Sequence, residues 1–364
     1  MTDLMPLEGW DHIELWVGNA KQAAFFYEHA LGFAPVAYAG PETGVRDRAS
    51  YVLAQGEIRL VLTSGLDRDD EICRFAARHG DGVRDVALRV PDAAAAYALA
   101  LERGARGTAA PRTLVDEHGS VGLASIATYG DVVHTFVERA DYAGPHLPGY
   151  SSLPENGAGR AGVGLVAIDH VVGNVELGKM NEWVGFYERV LGFENIVHFT
   201  EENIHTEYSA LMSKVMSDGE RKIKFPINEP AEGRRKSQID EYLEYNDGPG
   251  AQHVALQTTD IVRTVEALRR NGIQLLTTPQ AYYAELPERV GEIAEDYADL
   301  ERLGILADRD DDGYLLQIFT KNAQDRPTLF FEIIERHGAR GFGEGNFRAL
   351  FEAIEREQAL RGNL

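Results

Sequence analysis

The chain has 364 residues, with 36 Lys and Arg against 58 Asp and Glu, and its formal net charge is −22. This length suits two domains of roughly 150 to 200 residues, and so negative a surface disfavours nucleic acids and anionic membranes as partners. Cys73 is the only cysteine, which excludes an intrachain disulfide and a thiolate metal cluster. Because the chain also has no long apolar run, we expect a cytoplasmic protein.

The two halves of the chain repeat each other. Residues 25–33 (FFYEHALGF) match 185–193 (GFYERVLGF) without a gap, and parts of 83–104 match 251–272 at one offset. Similarity at a fixed offset indicates a duplicated unit. The N-terminal and C-terminal halves are therefore predicted to share one architecture.

Each half divides again into two units of a strand, a helix and several strands. After Asp260, the apolar residues Ile261, Val265 and Leu268 recur at helical spacing, and Gly272 follows as a stop signal. The segments after such helices are short and rich in β-branched and aromatic residues, as strands are. The pattern predicts an α+β protein of four modules.

A segment rich in Gly, Pro and Ser separates the halves. Such a composition is typical of a linker with little regular structure. We expect an N-terminal domain at 1–145, a linker at 146–164 and a C-terminal domain at 165–364.

Two histidines occupy equivalent positions in the modules of the C-terminal half. His170 lies in the apolar run IDHVV and His253 in the run AQHVA, each of which precedes a helix. A period of two along a strand directs both imidazoles to the side of their small or apolar neighbours. A single such histidine is more often a core residue satisfied by a backbone carbonyl, but equivalent placement in paired modules favours a shared site.

Glu332 adds a carboxylate to this pair. It lies in TLFFEII, where alternation would bury it with Phe330 and Ile334, and a buried carboxylate is costly unless it is paired or bound to a metal. The alternative is a buried ion pair with an arginine. Two histidines and one carboxylate form the ligand set of a non-haem iron(II) oxygenase.

The N-terminal half serves as an internal control. His12 aligns with His170, but Asp85 aligns with His253 and Thr135 falls opposite Glu332. One strong ligand of three remains there. We therefore expect a non-catalytic N-terminal domain and a metal site in the C-terminal half.

The chain ends in an amphipathic helix, predicted at about 346–360. Phe347, Leu350, Phe351 and Ile354 recur at helical spacing after the glycine-rich segment 341–346. Such a stripe most often packs on a core, but its position also fits a lid over the metal cavity, with Phe351 on its inner face.

Six C-terminal motifs resemble the 4-hydroxyphenylpyruvate dioxygenase family of the vicinal oxygen chelate superfamily. They are FPINEP (225–230), KSQIDEYL (236–243), QH (252–253), LLQIFT (315–320), FEIIER (331–336) and GFGEGNF (341–347). The resemblance spans nearly the whole chain. It implies an α+β vicinal oxygen chelate fold in which four βαβββ modules form two open-barrel domains, followed by the C-terminal helix.

The resemblance also implies a function and a site. The resemblance implies that this chain binds one Fe(II) through His170, His253 and Glu332. It also implies that the chain converts 4-hydroxyphenylpyruvate and O2 into homogentisate and CO2 by oxidative decarboxylation, ring hydroxylation and side-chain migration. This reaction belongs to tyrosine and phenylalanine catabolism, and the family is usually homo-oligomeric. The residues implied to line the substrate pocket are Ser209, Pro226, Asn228, Gln238, Gln252, Gln317, Phe319, Phe330, Phe342, Asn346 and Phe347.

Two other functions fit parts of this pattern. Hydroxymandelate synthase resembles the same family and uses the same substrate, but it departs from the Pro-Ile-Asn segment and from the phenylalanines of the C-terminal helix that this chain keeps. A non-catalytic ligand-binding protein of the same fold would not need two histidines and a glutamate at one point. The dioxygenase is the predicted function.

Overall fold

The computed structural model describes residues 5–154, 162–199, 211–231 and 236–363. Within these ranges the chain forms two curled sheets, one from each half. Each sheet combines two units of a strand, a helix and three strands. The predicted α+β arrangement of four repeated modules is confirmed.

In the N-terminal sheet, the first strands of the two modules pair antiparallel at the centre. A two-residue strand, β9, pairs with β2 at one edge, inside the segment predicted as a linker. The elements of this half are β1 (Gly9–Trp16), α1 (Ala20–Leu31), β2 (Ala34–Ala39), β3 (Arg48–Gln55), β4 (Ile58–Gly65), α2 (Glu71–His79), β5 (Gly82–Arg89), α3 (Ala93–Glu102), β6 (Gly107–Asp116), β7 (Gly119–Ala127), β8 (Val133–Glu138) and β9 (Ser151–Ser152).

The C-terminal sheet repeats this topology, with strands in the order β11-β12-β13-β10-β14-β17-β16-β15. Strands β10 and β14 occupy the positions of β1 and β5 at the centre. The elements are β10 (Leu165–Asn174), α4 (Met180–Phe186), β11 (Glu194–Phe199), β12 (Leu211–Ser217), β13 (Lys224–Pro230), α5 (Gln238–Tyr245), β14 (Gly250–Thr258), α6 (Ile261–Arg270), α7 (Gln280–Val290), α8 (Tyr297–Leu303), β15 (Leu306–Asp310), β16 (Gly313–Phe319), β17 (Phe330–His337) and α9 (Phe347–Arg361).

The module helices begin at equivalent aspartates. Asp92 caps α3 and Asp260 caps α6, and each carboxylate accepts a hydrogen bond from the backbone N–H three residues later, at 2.8 Å and 3.0 Å. Such caps satisfy an N–H group that the helix leaves unpaired. The predicted apolar residues of α6 are buried on the sheet, so the same signals build both helices.

The fourth module differs from the other three. Helices α7 and α8 lie between α6 and β15, in a segment of 271–305 that we call the insertion, whereas residues 103–106 alone connect α3 to β6. The repeat does not predict this insertion. Pro287 lies inside α7, and a proline is a poor signal for a helix interior.

Helix α9 packs against the C-terminal sheet rather than extending away from it. Phe351 and Ala353 are buried, and Phe351 packs in an apolar cluster with Ile239 of α5 and Phe342. In the described part of the chain, no helix is long and apolar enough to cross a membrane.

A candidate metal centre in the C-terminal barrel

Three adjacent strands at the centre of the C-terminal sheet carry the three predicted ligands. His170 of β10 lies opposite Ala255 of β14, which lies opposite Glu332 of β17, so a small alanine separates two ligands in one row. His253 lies two residues before Ala255 on the same face of β14. The duplicated strand pairing therefore brings the three side chains to one point.

The ligand atoms converge closely. Nε2 of His170 lies 3.2 Å and Nε2 of His253 lies 3.4 Å from Oε2 of Glu332, and all three residues are buried. In the described ranges, the ion pairs of Glu332 are with these imidazoles, and none is with an arginine. The structure therefore does not contain the alternative, an ion pair between Glu332 and an arginine.

The other ring nitrogen of each histidine is already engaged by the preceding residue. Nδ1 of His170 is 2.7 Å from Oδ1 of Asp169, and Nδ1 of His253 is 3.0 Å from Oε1 of Gln252. Because a carboxylate and an amide oxygen both accept, each Nδ1 donates a hydrogen bond, and Nε2, which faces Glu332, is the ring nitrogen that could bind a cation. Gln252, predicted to line the substrate pocket, thus also orients His253, one of the predicted ligands.

A shift in strand register makes the Asp169 contact possible. The pairing of β10 with β14 slips between Ile168 and His170, which is the mark of a β-bulge. The bulge interrupts the strict alternation predicted for this strand, and Asp169 and His170 are both buried. The equivalent slip occurs in β1 between Trp10 and His12.

The electrostatics of the site favour a cation. Burial raises the pKa of Glu332, but the imidazoles of His170 and His253 outweigh it and lower that pKa to about 2. Burial lowers the pKa of His253 despite the nearby carboxylate. Burial alone would also lower the pKa of His170, but Glu332 and Asp169 outweigh it and raise that pKa. The site therefore presents an ionised carboxylate between two imidazoles, of which that of His253 loses its proton more readily.

The donor set fits iron(II). Two imidazole nitrogens and one carboxylate oxygen are the ligands of non-haem iron(II) oxygenases. Neighbouring ligands on one ion stand roughly 3 Å apart when each metal bond is about 2.1 Å, and the measured separations from Glu332 lie close to this value. The three residues could hold such an ion with little rearrangement.

The triad lies in the wall of a cavity of about 610 Å³, measured with its open mouth. Predicted pocket residues that line it are Pro226, Asn228, Gln238, Gln252, Gln317, Phe319, Phe330, Phe342 and Phe347, together with the predicted lid residue Phe351.

Two predicted pocket residues stand apart from this wall. Ser209 lies outside the described residues. Asn346 is fully buried but does not line the cavity, and its Oδ1 accepts hydrogen bonds from Tyr282 at 2.5 Å and from Arg289 at 3.3 Å. In this structure Asn346 joins the start of α9 to the insertion.

The cavity also has wall residues outside the predicted set. Leu211, Ser213 and Val215 alternate along β12 and face the cavity, and Leu350 and Ile354 reach it from α9. Alternation in β12 could have indicated the first three, and Leu350 and Ile354 belong to the predicted amphipathic stripe. These residues make the pocket more apolar than the predicted set alone.

Aromatic rings surround the two imidazoles. Phe330 stacks on His253 with centroids 4.7 Å apart, and Phe342 meets His170 edge-on at 5.2 Å. Such rings exclude water and offer a surface for a flat ligand. The site can therefore take an aromatic molecule that also reaches a metal.

The N-terminal barrel holds a changed copy of this site. Asp85 and Thr135 lie where the C-terminal barrel has His253 and Glu332, and they bond to each other, because Oγ1 of Thr135 donates to Asp85. His12 keeps the contact to the preceding residue, Asp11, at 2.7 Å. Among the described residues, His12, Asp85 and Thr135 do not form a group of side chains that could hold a metal ion.

Comparisons with known proteins agree with the repeated fold. Residues 1–145 match the family described as hydroxyphenylpyruvate dioxygenase, N-terminal, and residues 167–318 match the glyoxalase, bleomycin resistance protein and dioxygenase superfamily. The chain is similar in structure to a mutant of 4-hydroxymandelate synthase from Streptomyces coelicolor, with a TM-score of 0.87 and 37% identity, covering 97% of this chain and 100% of that one.

Two relatives named 4-hydroxyphenylpyruvate dioxygenase match nearly end to end. The protein of Dictyostelium discoideum is 48% identical over 98% of this chain and 100% of its own length. That of Yarrowia lipolytica is 46% identical over 98% of this chain and 93% of its own. With its paired modules and its buried His, His and Glu triad, the chain belongs to the 4-hydroxyphenylpyruvate dioxygenase family.

Proposed function

We propose that this protein is an iron(II) dioxygenase that converts 4-hydroxyphenylpyruvate and O2 into homogentisate and CO2. The observation that carries the proposal is the meeting of His170, His253 and Glu332 in the wall of one cavity. The names of the relatives with high identity supply the substrate.

The protein residues would hold iron(II) through Nε2 of both histidines and Oε2 of Glu332. Bound iron(II) would supply the activation of dioxygen for decarboxylation of the 2-oxo acid and hydroxylation of the ring. Because the ligands lie in the cavity wall, the 2-oxo acid end of the substrate can reach the metal from the cavity. No separate 2-oxo acid is required, since the substrate carries its own.

The cavity walls would hold the aromatic end of the substrate. Phe319 and Phe342 offer faces and edges for the ring. Asn228, Gln238 and Gln317 offer amides that bind a phenol hydroxyl without introducing a charge. Oε1 of Gln317 is buried and has no hydrogen-bond partner in the described structure, so it is suited to accept a hydrogen bond from that hydroxyl.

Helix α9 would cover the bound substrate. Phe347, Phe351 and Ile354 form one side of the cavity, and two ion pairs fix the helix to the body, one from Lys321 to Glu357 at 2.8 Å and one from Arg361 to Glu241 at 2.7 Å. A closed helix excludes water from the reacting groups, which protects an oxidising centre from side reactions.

Oxygen uptake tests this proposal. Protein supplied with iron(II), ascorbate and 4-hydroxyphenylpyruvate should consume O2 and release CO2 in equal amounts. The Glu332→Gln variant should lose turnover and bind iron(II) more weakly, because it removes the carboxylate charge. Wild-type protein that binds no iron(II) would instead support a non-catalytic binding protein.

Hydroxymandelate synthase activity is the second candidate, because a mutant of such an enzyme shares this fold at a TM-score of 0.87. Both reactions start from the same substrate, and they differ in whether the ring or the benzylic carbon is hydroxylated. The Pro226 and Asn228 wall and the phenylalanines of α9 favour ring hydroxylation in our proposal.

The proposal includes a homo-oligomer in the cytoplasm. Phe25 of α1 is 63% exposed and Val115 of the edge strand β6 is 71% exposed, and an unpaired edge with an exposed apolar side chain is suited to a contact between subunits. Light scattering on the purified chain tests this part, and the mass of a monomer at micromolar concentration would contradict it.

A further inference from the structure

A second group of metal-binding side chains lies outside the cavity, where the insertion meets β17. Glu295 belongs to the connection between α7 and α8, and Glu335 and His337 belong to the end of β17. One donor atom of each lies within 4.8 Å of the others. None of the three lines the cavity of the iron triad.

One carboxylate oxygen of each glutamate lies close to the imidazole of His337. Nε2 of His337 lies 3.0 Å from Oε1 of Glu335 and 3.2 Å from Oε1 of Glu295. The second oxygen of each carboxylate is held elsewhere, because Oε2 of Glu335 accepts from the backbone N–H of Ile261 at 2.7 Å and Oε2 of Glu295 accepts from the Tyr314 hydroxyl at 3.0 Å. Each carboxylate therefore has one oriented oxygen directed to the imidazole.

The imidazole is also fixed. The ring of His337 stacks on Tyr314 with centroids 4.4 Å apart and an interplanar angle of 7°. Outer contacts that orient the ligands are what distinguish a prepared metal site from a chance group of side chains. Tyr314 contacts two of the three donors and so acts as the support of the cluster.

The internal repeat separates two possible roles of the residues in this cluster. Glu138 occupies the position of Glu335 in the N-terminal half and accepts from Ala93 at the start of α3, at 3.1 Å. Helix capping therefore explains a glutamate here in both halves. It does not explain His337, which aligns with Ala140, or Glu295, which lies in the insertion that the N-terminal half lacks.

The electrostatics of the cluster favour a cation. Two carboxylates, those of Glu295 and Glu335, face the single imidazole of His337. A cation is attracted to such a pair of negative charges. His337 is 33% exposed, which leaves a path from solvent.

We propose that Glu295, Glu335 and His337 bind one divalent transition-metal ion of the zinc class, which ties the insertion to β17. Imidazole and carboxylate donors suit such an ion, and neighbouring ligands in a tetrahedral zinc site stand roughly 3.4 Å apart, close to the separations measured here. This site is separate from the iron site and does not depend on the proposed reaction.

Zinc titration of metal-free protein without an affinity tag tests the inference. The donors of the cavity triad suit zinc as well, so wild-type protein should take up two equivalents and the His337→Gln variant should take up one. Loss of a ligand should weaken the second site by at least roughly 10- to 100-fold, the loss that outer contacts alone can cause. Glu295→Gln should weaken binding of the same equivalent. Glu335 is not substituted, because it also accepts a hydrogen bond from the first N–H of α6.

His118→Gln is the matched control, since His118 is an exposed histidine 4.0 Å from a single carboxylate of Glu117. It should keep both equivalents. In a Glu332→Gln background, which weakens the cavity site, adding His337→Gln should remove the remaining equivalent. Uptake of the same number of zinc equivalents by wild-type and by folded His337→Gln protein would overturn the inference.

Discussion

Arg336 donates two hydrogen bonds to Asp169, from Nε at 2.7 Å and from Nη2 at 2.9 Å. Burial alone would raise the pKa of Asp169, but Arg336 and the adjacent His170 hold it well below its usual range. Asp169 is therefore an anion that accepts the Nδ1 proton of His170. The N-terminal half repeats the arrangement, with Arg139 donating twice to Asp11 at 2.7 Å.

Asp169→Asn should weaken iron(II) binding roughly 10- to 100-fold, the usual effect of removing the partner of a ligand histidine. The amide is uncharged and can no longer accept both from the imidazole and from Arg336 in the same way. Equilibrium dialysis of iron(II) under anaerobic conditions measures this change.

Asp11→Asn is the matched control in the N-terminal copy. It breaks the same kind of pair beside His12, where no complete triad exists, so the protein should lose stability but keep its iron(II) affinity. Equal losses of iron affinity in the two variants would mean that Asp169 acts through general stability rather than through His170.

The repeat explains how much of the site could be predicted from the sequence. Equivalent runs around His170 and His253 indicate central strands, and the final strand with Glu332 follows from alternation. The bulge at Asp169 could not be predicted, because a one-residue shift in register depends on how β10 pairs with β14. The place of Asn346 could not be inferred either, since its partners Tyr282 and Arg289 lie in the insertion that the repeat does not contain.

Gly343→Ala should raise the KM for substrate. Gly343 has a φ of +76°, and a Cβ there would lie 2.4 Å from Oε1 of Gln317, so the substitution costs about 1 to 2 kcal/mol of backbone strain and displaces a cavity amide. Gly178, with a φ of +78° and no atom within 4 Å of a Cβ, provides the control. Gly178→Ala should lower stability similarly without a change in KM, and an equal KM for both variants would contradict the role of Gln317.

Arg361→Leu should loosen helix α9. Glu241 is 2% exposed and accepts from Nε and Nη2 of Arg361 at 3.1 Å and 2.7 Å. Loss of Arg361 as a partner should make the free energy of docking α9 on the sheet less favourable by about 1 to 3 kcal/mol. The loss is smaller than for a fully buried ion pair, because the Arg361 side chain is 27% exposed. Limited proteolysis should cleave the C-terminus faster, and an unchanged cleavage rate would argue against this anchor.

The changed N-terminal site predicts a pH dependence of stability. Burial raises the pKa of Asp85 to about 6, although His12 and Thr135 oppose it. A folded pKa above the unfolded one contributes stability that is present below about pH 4 and is lost as pH rises through about 6. As the pH rises from 4 to 7, the free energy of unfolding of Asp85→Asn should therefore increase by about 2 to 3 kcal/mol relative to that of wild type.

Urea unfolding at several pH values measures this difference. Thr135→Val is a useful companion, because it removes a donor to Asp85 and should raise the pKa of Asp85 further. A difference in unfolding free energy between Asp85→Asn and wild type that stays constant across this range would contradict the assignment.

The identity of the product tests the central claim most directly. Wild-type protein with iron(II), ascorbate, O2 and 4-hydroxyphenylpyruvate should yield homogentisate, identified by chromatography and mass spectrometry against authentic standards. Formation of 4-hydroxymandelate in its place would contradict the account.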